Sequence, residues 1–364
     1  MERRVTLRDI AKVAKVHVTT VSLALRNHPR LPAATRERIK SLAVKMGYRP
    51  DPVLASLMVY RQNLKPPQEG TVIGYLTGDK SRSEWRQQSS LLQIFEGAKS
   101  RAEECGYRLE EFWLKEPGMS LTRWNKLFLA RGIEAFLVAP WLRGRAHLRL
   151  DWARFYTVKI GHSLVFPPLH TVENNQYQCM QLCVRRLRGN GYRRIGFANR
   201  DLEDERLNHL YKAAFLIEQD RCSPAEKIPP LIPKIWNRKQ FAAWYQRHRP
   251  EVVICPDPEA IEWMHAMNLK IPEDIGFANL DCLDAEARQS GIRQSHQEVG
   301  VAATDLLISL IHRNERGFPP APHLTQVEGR WVEGETTRRV AWSHQKKPGR
   351  LSPPPKKNAQ KESR

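Results

Sequence analysis

Apolar positions change their period along this chain, and each change marks a different kind of structure. Over the first 48 residues they recur at helical spacing in three short segments. Thr6 reads as the N-cap of a helix from Leu7 to about Ala14, with Asp9 in its first turn facing the positive end of the helix dipole. A break at Lys15–His17 precedes a second helix, about Val18 to Leu25. After a turn through "RNHPRLP" a third runs from Ala33 to Met46, with Gly47 as its C′ residue. Ile10, Ala14, Val21, Ala24, Ile39, Leu42 and Met46 supply one small shared core. In "YRPDPVLASLMVYRQ", Asp51 and Pro52 signal the start of another helix, Val53 to about Tyr60, too short to stand alone in water and so in need of a partner. "NLKPPQEG" then reads as a linker stiffened by Pro66 and Pro67.

From Thr71 the pattern becomes one of strands alternating with helices. Strand segments are "TVIGYLT", "YRLEEFWL", "EAFLVAP", "FYTVKIG", "RRIGFAN", "EVVICP" and "DIGFANLD". Helical segments are "LLQIFEGAKSRAEECG", "QCMQLCVRRLRGNG", "LNHLYKAAFLIEQ", "AIEWMHAMN" and "VGVAATDLLISLIHR". This βαβα order implies parallel sheets with helices on both faces, and the length calls for two similar doubly wound lobes. The expected organisation is an all-α head over 1–49, a short helix over 50–61, a linker over 62–70, an α/β core over 71–342 and a disordered basic tail over 343–364.

Hydrophobic and charged contents of 41% and 27% are those of a globular protein. No apolar run is long enough to span a membrane, and "MERRVTLRDI" lacks a signal-peptide core, so a cytoplasmic protein without membrane contact is expected. The six cysteines include no CxxC pair. Cys179 and Cys183, one helical turn apart, lack a second ligand pair at finger spacing, so buried thiols are expected rather than a metal site. The net charge of +20 is uneven. Residues 1–62 hold 13 Lys and Arg against 4 acidic residues, and residues 343–364 hold 7 against 1. Charge gathered at the ends fits a polyanionic partner there and another task for the middle. There is no GxSxG, HExxH, phosphate-loop or GxGxxG motif, so no cofactor and no catalysis are expected.

In a helix-turn-helix, one helix props a second into the major groove. A small residue is needed at the crossing, then a tight turn, then an apolar lock; Ala11, Lys15–Val16 and Val21 occupy those places. The ungapped stretch from Val5 to Leu57, with "TLRDIA", "TVS", "TRERI" and "GYRPDPVLASL", resembles the DNA-binding head of the lactose-repressor/galactose-repressor family of bacterial transcription regulators. The α/β region resembles that family's effector-binding core, related to periplasmic sugar-binding proteins. The resemblance implies a homodimer on near-palindromic operator DNA, with the short helix as a hinge that places Val53, Leu54 and Leu57 at the minor groove, Leu57 as the wedge. His17, Val18, Thr19, Thr20 and Leu23 fall on the major-groove side, with Arg30 and Thr35 at phosphates. His17 and Thr20 also suit phosphate contacts, and Thr20 equally suits a helix–helix contact.

Several positions depart from the family pattern. Lys15 replaces the turn glycine, at a cost of about 1 kcal/mol if the backbone is left-handed there. Leu23 replaces the arginine that follows "TVS", which removes one bidentate contact to guanine, about 1–3 kcal/mol of discrimination. Arg26 and Asn27 stand where Asn-Gly is common, and Leu54 replaces a small hinge residue. In the core, the resemblance places a small-molecule effector, most commonly a carbohydrate, between the lobes. It assigns Asp281 to a strand end beside the cleft, Asp257 to an adjacent loop with Pro256 in place of asparagine, Asn175 to a position usually held by aspartate, Arg206 to the effector-binding arginine and Trp236 to a stacking aromatic. The leading reading is a ligand-controlled transcription regulator, not an enzyme. A transport-type solute-binding protein would need an export signal and no head; an α/β enzyme acting on nucleic acid or sugar would need clustered acid/base or metal residues.

Overall fold

A computed structural model describes residues 5–25, 31–48, 71–142, 146–283 and 288–338. Arg30, the hinge residues Val53, Leu54 and Leu57, and the segment 343–364 lie outside the described residues. The head is three helices: α1 (Leu7–Ala14), α2 (Val18–Leu25) and α3 (Ala33–Lys45). Thr6 caps α1 in a reciprocal box with Asp9. Lys15 has φ 54° and ψ 45°, so the turn is left-handed and a lysine does hold the position where glycine is cheapest. α3 ends one residue earlier than expected: Met46 is the C-cap and Gly47 follows at φ 70°. Ile10, Ala14, Val21, Ala24 and Ile39 are buried as expected. Ala11 and Ala43 complete the core, while Leu42 and Met46 only lean against it.

The first lobe contains β1 (Val72–Thr77), α4 (Ser89–Glu104), β2 (Arg108–Trp113), α5 (Leu121–Ala130), β3 (Ala135–Val138), β4 (Ala146–His147), β5 (Tyr156–Ile160), β6 (Leu164–Phe166) and β7 (His170–Asn174). The second contains α6 (Gln176–Gly189), β8 (Ile195–Phe197), α7 (Asp201–Arg206), α8 (Leu210–Asp220), α9 (Arg238–His248), β9 (Val252–Cys255), α10 (Glu259–Ala266), β10 (Gly276–Asn279) and β11 (Gly291–Arg293). The chain then returns through α11 (His296–Arg313) and β12 (Leu324–Val327) to the first lobe, and ends with β13 (Arg330–Val332) in the second. The sheet orders are β12-β7-β5-β3-β1-β2 and β13-β11-β10-β9-β8. All neighbours in these two sheets run parallel except β13, which is antiparallel to β11. Two doubly wound parallel lobes were expected, and two are present.

β1 is buried throughout because both faces are covered. Ile73 and Tyr75 pack toward α4 and α11, Val72 and Leu76 toward Phe112, Phe128 and Phe136. Between Leu207 and Gln219 the single expected helix is broken: Asn208 and His209 have positive φ, and α8 starts only at Leu210. α4 and α11 cross with their backbones in contact. A Cβ on Gly300 would lie 2.0 Å from the Ile94 carbonyl oxygen, and one on Gly97 would lie 2.1 Å from that of Gln297. Gly300→Ala should therefore lower unfolding stability by about 1–3 kcal/mol through overpacking. Urea denaturation followed by tryptophan fluorescence checks this, and an unchanged midpoint would show that the crossing relaxes freely.

Candidate DNA interface and effector cleft

In the head, His17 closes the start of α2. Its carbonyl accepts the N–H groups of Thr20 and Val21, and its ring Nδ1 accepts the Thr19 N–H at 3.3 Å. The Thr19 hydroxyl also sits 2.9 Å from Nδ1. With Nδ1 an acceptor, the neutral ring carries its proton on Nε2, a donor on an exposed side chain. Val21 and Ala24 face the core, which leaves Thr19, Ser22 and Leu23 on the other side of α2, with Val18 at the edge. Val18 is half-buried against the core, whereas Leu23 is half-buried outside that cluster. Thr20 and Thr35 are half-buried. α3 begins at Pro32 without a side-chain cap, so the first N–H groups beside Thr35 are left for an anion.

The cleft follows from strand direction. Both parallel sheets turn the C-terminal ends of their strands toward each other, where α/β folds place ligands. The space between them holds about 690 Å³. Three connections cross it: β7 to α6, β11 to α11 and β12 to β13. Asp281, Asp257 and Arg206 all line this cleft. Arg200 Nε bonds Asp257 Oδ2 at 2.5 Å and Arg200 Nη2 reaches Glu259 at 3.1 Å. Arg206 holds Glu203 Oε2 through Nε at 3.0 Å and Nη2 at 2.6 Å.

Asp281 is bound by His296, whose Nε2 lies 2.8 and 2.9 Å from the two carboxylate oxygens. A proton on Nε2 makes Nδ1 of the neutral ring an acceptor, here from Asn174 Nδ2 at 3.0 Å. Asp281 belongs to the second lobe and Asn174 ends β7 in the first, so this short chain spans both. His162 Nε2 lies 2.5 Å from Glu173 Oε2, although the pair does not meet at a hydrogen-bonding angle. In the same region the Tyr211 hydroxyl accepts from Gln294 Nε2 at 2.7 Å; burial pushes its pKa well up and keeps it neutral. Glu173 Oε2, Asn174 Oδ1, Gln176 Oε1 and Asn199 Nδ2 are buried with no hydrogen-bond partner.

Two residues singled out by sequence lie outside the cleft lining. Asn175 turns its side chain to cap α6, accepting the Gln178 N–H at 3.1 Å, while its neighbours Asn174 and Gln176 line the cleft. Trp236 packs its ring on Trp263 at 5.0 Å and lies 6.0 Å from the Arg200 guanidinium, behind the cleft wall. Sequence reasoning passed over Arg200, His162, Glu173, Asn174 and His296. The triplet "GHS" forms no motif, yet Gly161, His162 and Ser163 all line the cleft. The available signal was position: each of these residues lies at, or just after, a strand's C-terminal end. Cys179, Cys183 and Cys282 are buried, and burial raises their thiol pKa, to about 12 for Cys179 and Cys282. Among the described residues no group of three or more His, Cys, Asp or Glu could hold a metal ion, and no helix is long and apolar enough to cross a membrane.

The sequence matches the lacI family of bacterial regulatory proteins over residues 6–51 and a periplasmic binding protein-like domain over residues 184–337. A probable HTH-type transcriptional repressor, ExuR of Bacillus subtilis (strain 168), is 41% identical over 59 residues, which is 16% of this chain and 18% of that protein. The match thus spans less than a fifth of that relative's length. Among solved structures, the lac repressor dimer bound to operator and the anti-inducer ONPF superposes with a TM-score of 0.54 at 17% identity, covering 93% of this chain and 100% of that one. The complex of the regulator CelR with cellobiose gives 0.53 at 16% identity, covering 92% and 100%. A regulator of this family from Rhizobium etli gives 0.56 at 17%, covering 74% and 100%. These low identities speak for the fold; the sequence matches set a head of the lacI family of bacterial regulatory proteins before a periplasmic binding protein-like core, in that order on one chain.

Proposed function

We propose that this protein is a DNA-binding transcription regulator, a homodimeric repressor whose hold on a near-palindromic operator is set by a carbohydrate bound between its lobes. The observation that carries the ligand class is the set of buried polar atoms without partners in the cleft. Two are acceptors, Asn174 Oδ1 and Gln176 Oε1, and one is a donor, Asn199 Nδ2. A hydroxyl group donates and accepts, so a polyhydroxyl ligand satisfies both kinds. The cations of the lining speak against an anionic ligand, because Arg200 and Arg206 are already matched by Asp257 and Glu203. The CelR complex, of the same fold, holds cellobiose. Asp281, Arg206 and Asp257 would meet the sugar, with Asn174 taking the part expected of Asn175.

In the DNA complex, Val18, Thr19 and Leu23 would face base edges, with His17, Thr20, Arg30 and Thr35 at or near phosphates. The hinge helix of 50–61 would pair with its mate and place Val53, Leu54 and Leu57 at the minor groove. Head, hinge helix, linker, core and tail would divide at 49, 61, 70 and 342. Since α2 itself carries no charged residue, base reading would rest on methyl contacts and the Thr19 hydroxyl.

Two measurements test this reading. Selection of binding sites from a random pool by the full chain should enrich A·T pairs opposite Leu23, and Leu23→Arg should shift that position to guanine by about tenfold or more; an invariant G·C pair opposite Leu23 in the unaltered protein would overturn it. A thermal-shift screen of neutral sugars on the full chain should find a stabiliser, giving about 2.7 kcal/mol at a hundredfold excess over Kd. Asp281→Asn should abolish that shift while leaving the ligand-free melting point within a few degrees. A chain that no sugar stabilises would sink the carbohydrate assignment.

A further inference from the structure

The core has two poles, and the chain uses them differently. Strand C-termini face the cleft in both lobes, so strand N-termini lie at opposite ends of the core. The chain arrives from the head at Val72, at the first of these ends. It leaves at the other, because β13 runs antiparallel to β11 and carries the backbone to Arg338, whose N–H bonds the Tyr192 hydroxyl at 2.8 Å beside the start of β8.

This second pole is a gathering of arginines. The C-terminal turn of α6 contributes Arg186, the approach to β8 contributes Arg193, the end of α9 contributes Arg247 and Arg249, and β13 leads to Arg338. Hydrogen bonds join these segments: Arg194 Nη2 bonds the His248 carbonyl and Arg194 Nε the Arg249 carbonyl at 3.3 Å. All five side chains are exposed, and none forms an ion pair with an acidic side chain among the described residues. The nearby acids are already committed. Glu251 accepts the backbone N–H groups of Arg193 at 2.6 Å and Arg194 at 3.1 Å, and Glu218 faces Arg221 at 3.4 Å and Arg185 at 3.9 Å. Arg338 stacks over Tyr192 at 4.7 Å and Arg249 over Tyr245 at 5.5 Å, which holds their guanidinium planes in place. The positive field is felt locally: burial first, then Arg247 and Arg194, hold the His248 pKa below its ordinary value. Helix C-termini attract cations and explain Arg186, Arg247 and Arg249, but not Arg193 or Arg338.

We infer that this pole is a second, sequence-independent surface for duplex nucleic acid, formed by Arg186, Arg193, Arg247, Arg249 and Arg338. The five cations are all arginine, whose planar fork matches phosphate oxygens in pairs. None of the exposed large apolar side chains falls within these segments, so the patch lacks the apolar centre of a protein interface or the wedge a membrane surface requires. The sequence beyond Arg338 adds charge of the same sign, seven basic residues against one acidic over 343–364. The surface lies across the core from the head's attachment, so it suits a second stretch of duplex rather than an extension of the head's own footprint.

The test uses the full chain with Thr19→Asp and Leu23→Asp, which set two carboxylates against the phosphates at α2. By fluorescence anisotropy at low salt, this chain should still bind a short random-sequence duplex. Adding R186Q, R193Q, R247Q, R249Q and R338Q should weaken that binding at least tenfold and flatten the log–log salt dependence by about four. Lysine at the same five positions should restore most of it, which a merely structural role would not predict. Poly-glutamate of matched charge should compete poorly. The inference is overturned if the first variant binds no duplex, if the five glutamines leave its binding unchanged, or if poly-glutamate is held as tightly as the duplex.

Discussion

The arrangement of the two lobes depends on one imidazole. His296 begins α11, and α11 is locked to α4 of the first lobe by the backbone contact at Gly97 and Gly300. Its ring nevertheless reaches Asp281 of the second lobe and Asn174 at the first lobe's strand end. A neutral imidazole donates at one nitrogen and accepts at the other, so it passes this connection from amide to carboxylate with both ring nitrogens paired. The lobes are thus tied at the cleft by directional polar bonds rather than by an apolar seam. Such a tie can be remade in a second geometry without exposing hydrophobic surface, which an interdigitated core cannot. The connection from β12 to β13 is similarly constrained: Ser295 Oγ bonds the Glu328 carbonyl at 3.0 Å, and a Cβ on Gly329 would press on Cys179 Sγ at 2.7 Å.

Distance then restricts how ligand and DNA can communicate. The cleft lies at the C-terminal end of β1 and the chain from the head enters at its N-terminal end. Six residues of strand separate them by about 17 Å. No ligand in the cleft touches the entry point, so any coupling has to travel as a change in how one lobe sits on the other. Linkage supplies the condition: the ligand must bind one arrangement more tightly than the other, and the groups that move between arrangements are those of the three crossings. Asn174, Asp281 and His296 belong both to the crossings or strand ends and to the cleft lining, so the same bonds would report ligand and fix geometry.

How much of this was legible depended on whether burial matched polarity. β1, β3 and β9 are apolar and buried on both faces, and their runs announce parallel strands. β7 reads His-Thr-Val-Glu-Asn, a sequence with one apolar residue, yet all five positions are buried because the strand lies between β5 and β12 and ends at the cleft. Period and hydrophobicity fail there because the cleft replaces water as the environment of the polar side chains. β12 and β13 are too short to show a period, and α9, "RKQFAAWYQRH", hides its apolar face among charges. The cleft was legible where a carboxylate ended an obvious strand, as at Asp281. It was not legible where side chains compete for roles: Asn175 caps a helix, so its neighbours meet the cleft, and Trp236 finds another tryptophan instead of a ligand.

Charge and base recognition are separated in the head in the same way. The helix proposed to meet base edges, Val-Thr-Thr-Val-Ser-Leu-Ala-Leu, contains no ionisable side chain, while residues 1–62 hold 13 basic ones. Phosphate contacts give affinity and register but carry no sequence information, and base edges give specificity. With Thr19 drawn toward His17 and Val18 leaning on the head's core, Leu23 is the least committed side chain on that face of α2. An apolar side chain there gains from a thymine methyl group and leaves the O6 and N7 acceptors of a guanine unmatched. The scarcity of donors on α2 is therefore a constraint on which base pairs can lie opposite it. The left-handed Lys15 keeps a cation at the turn before α2, at a conformational cost that glycine would have avoided.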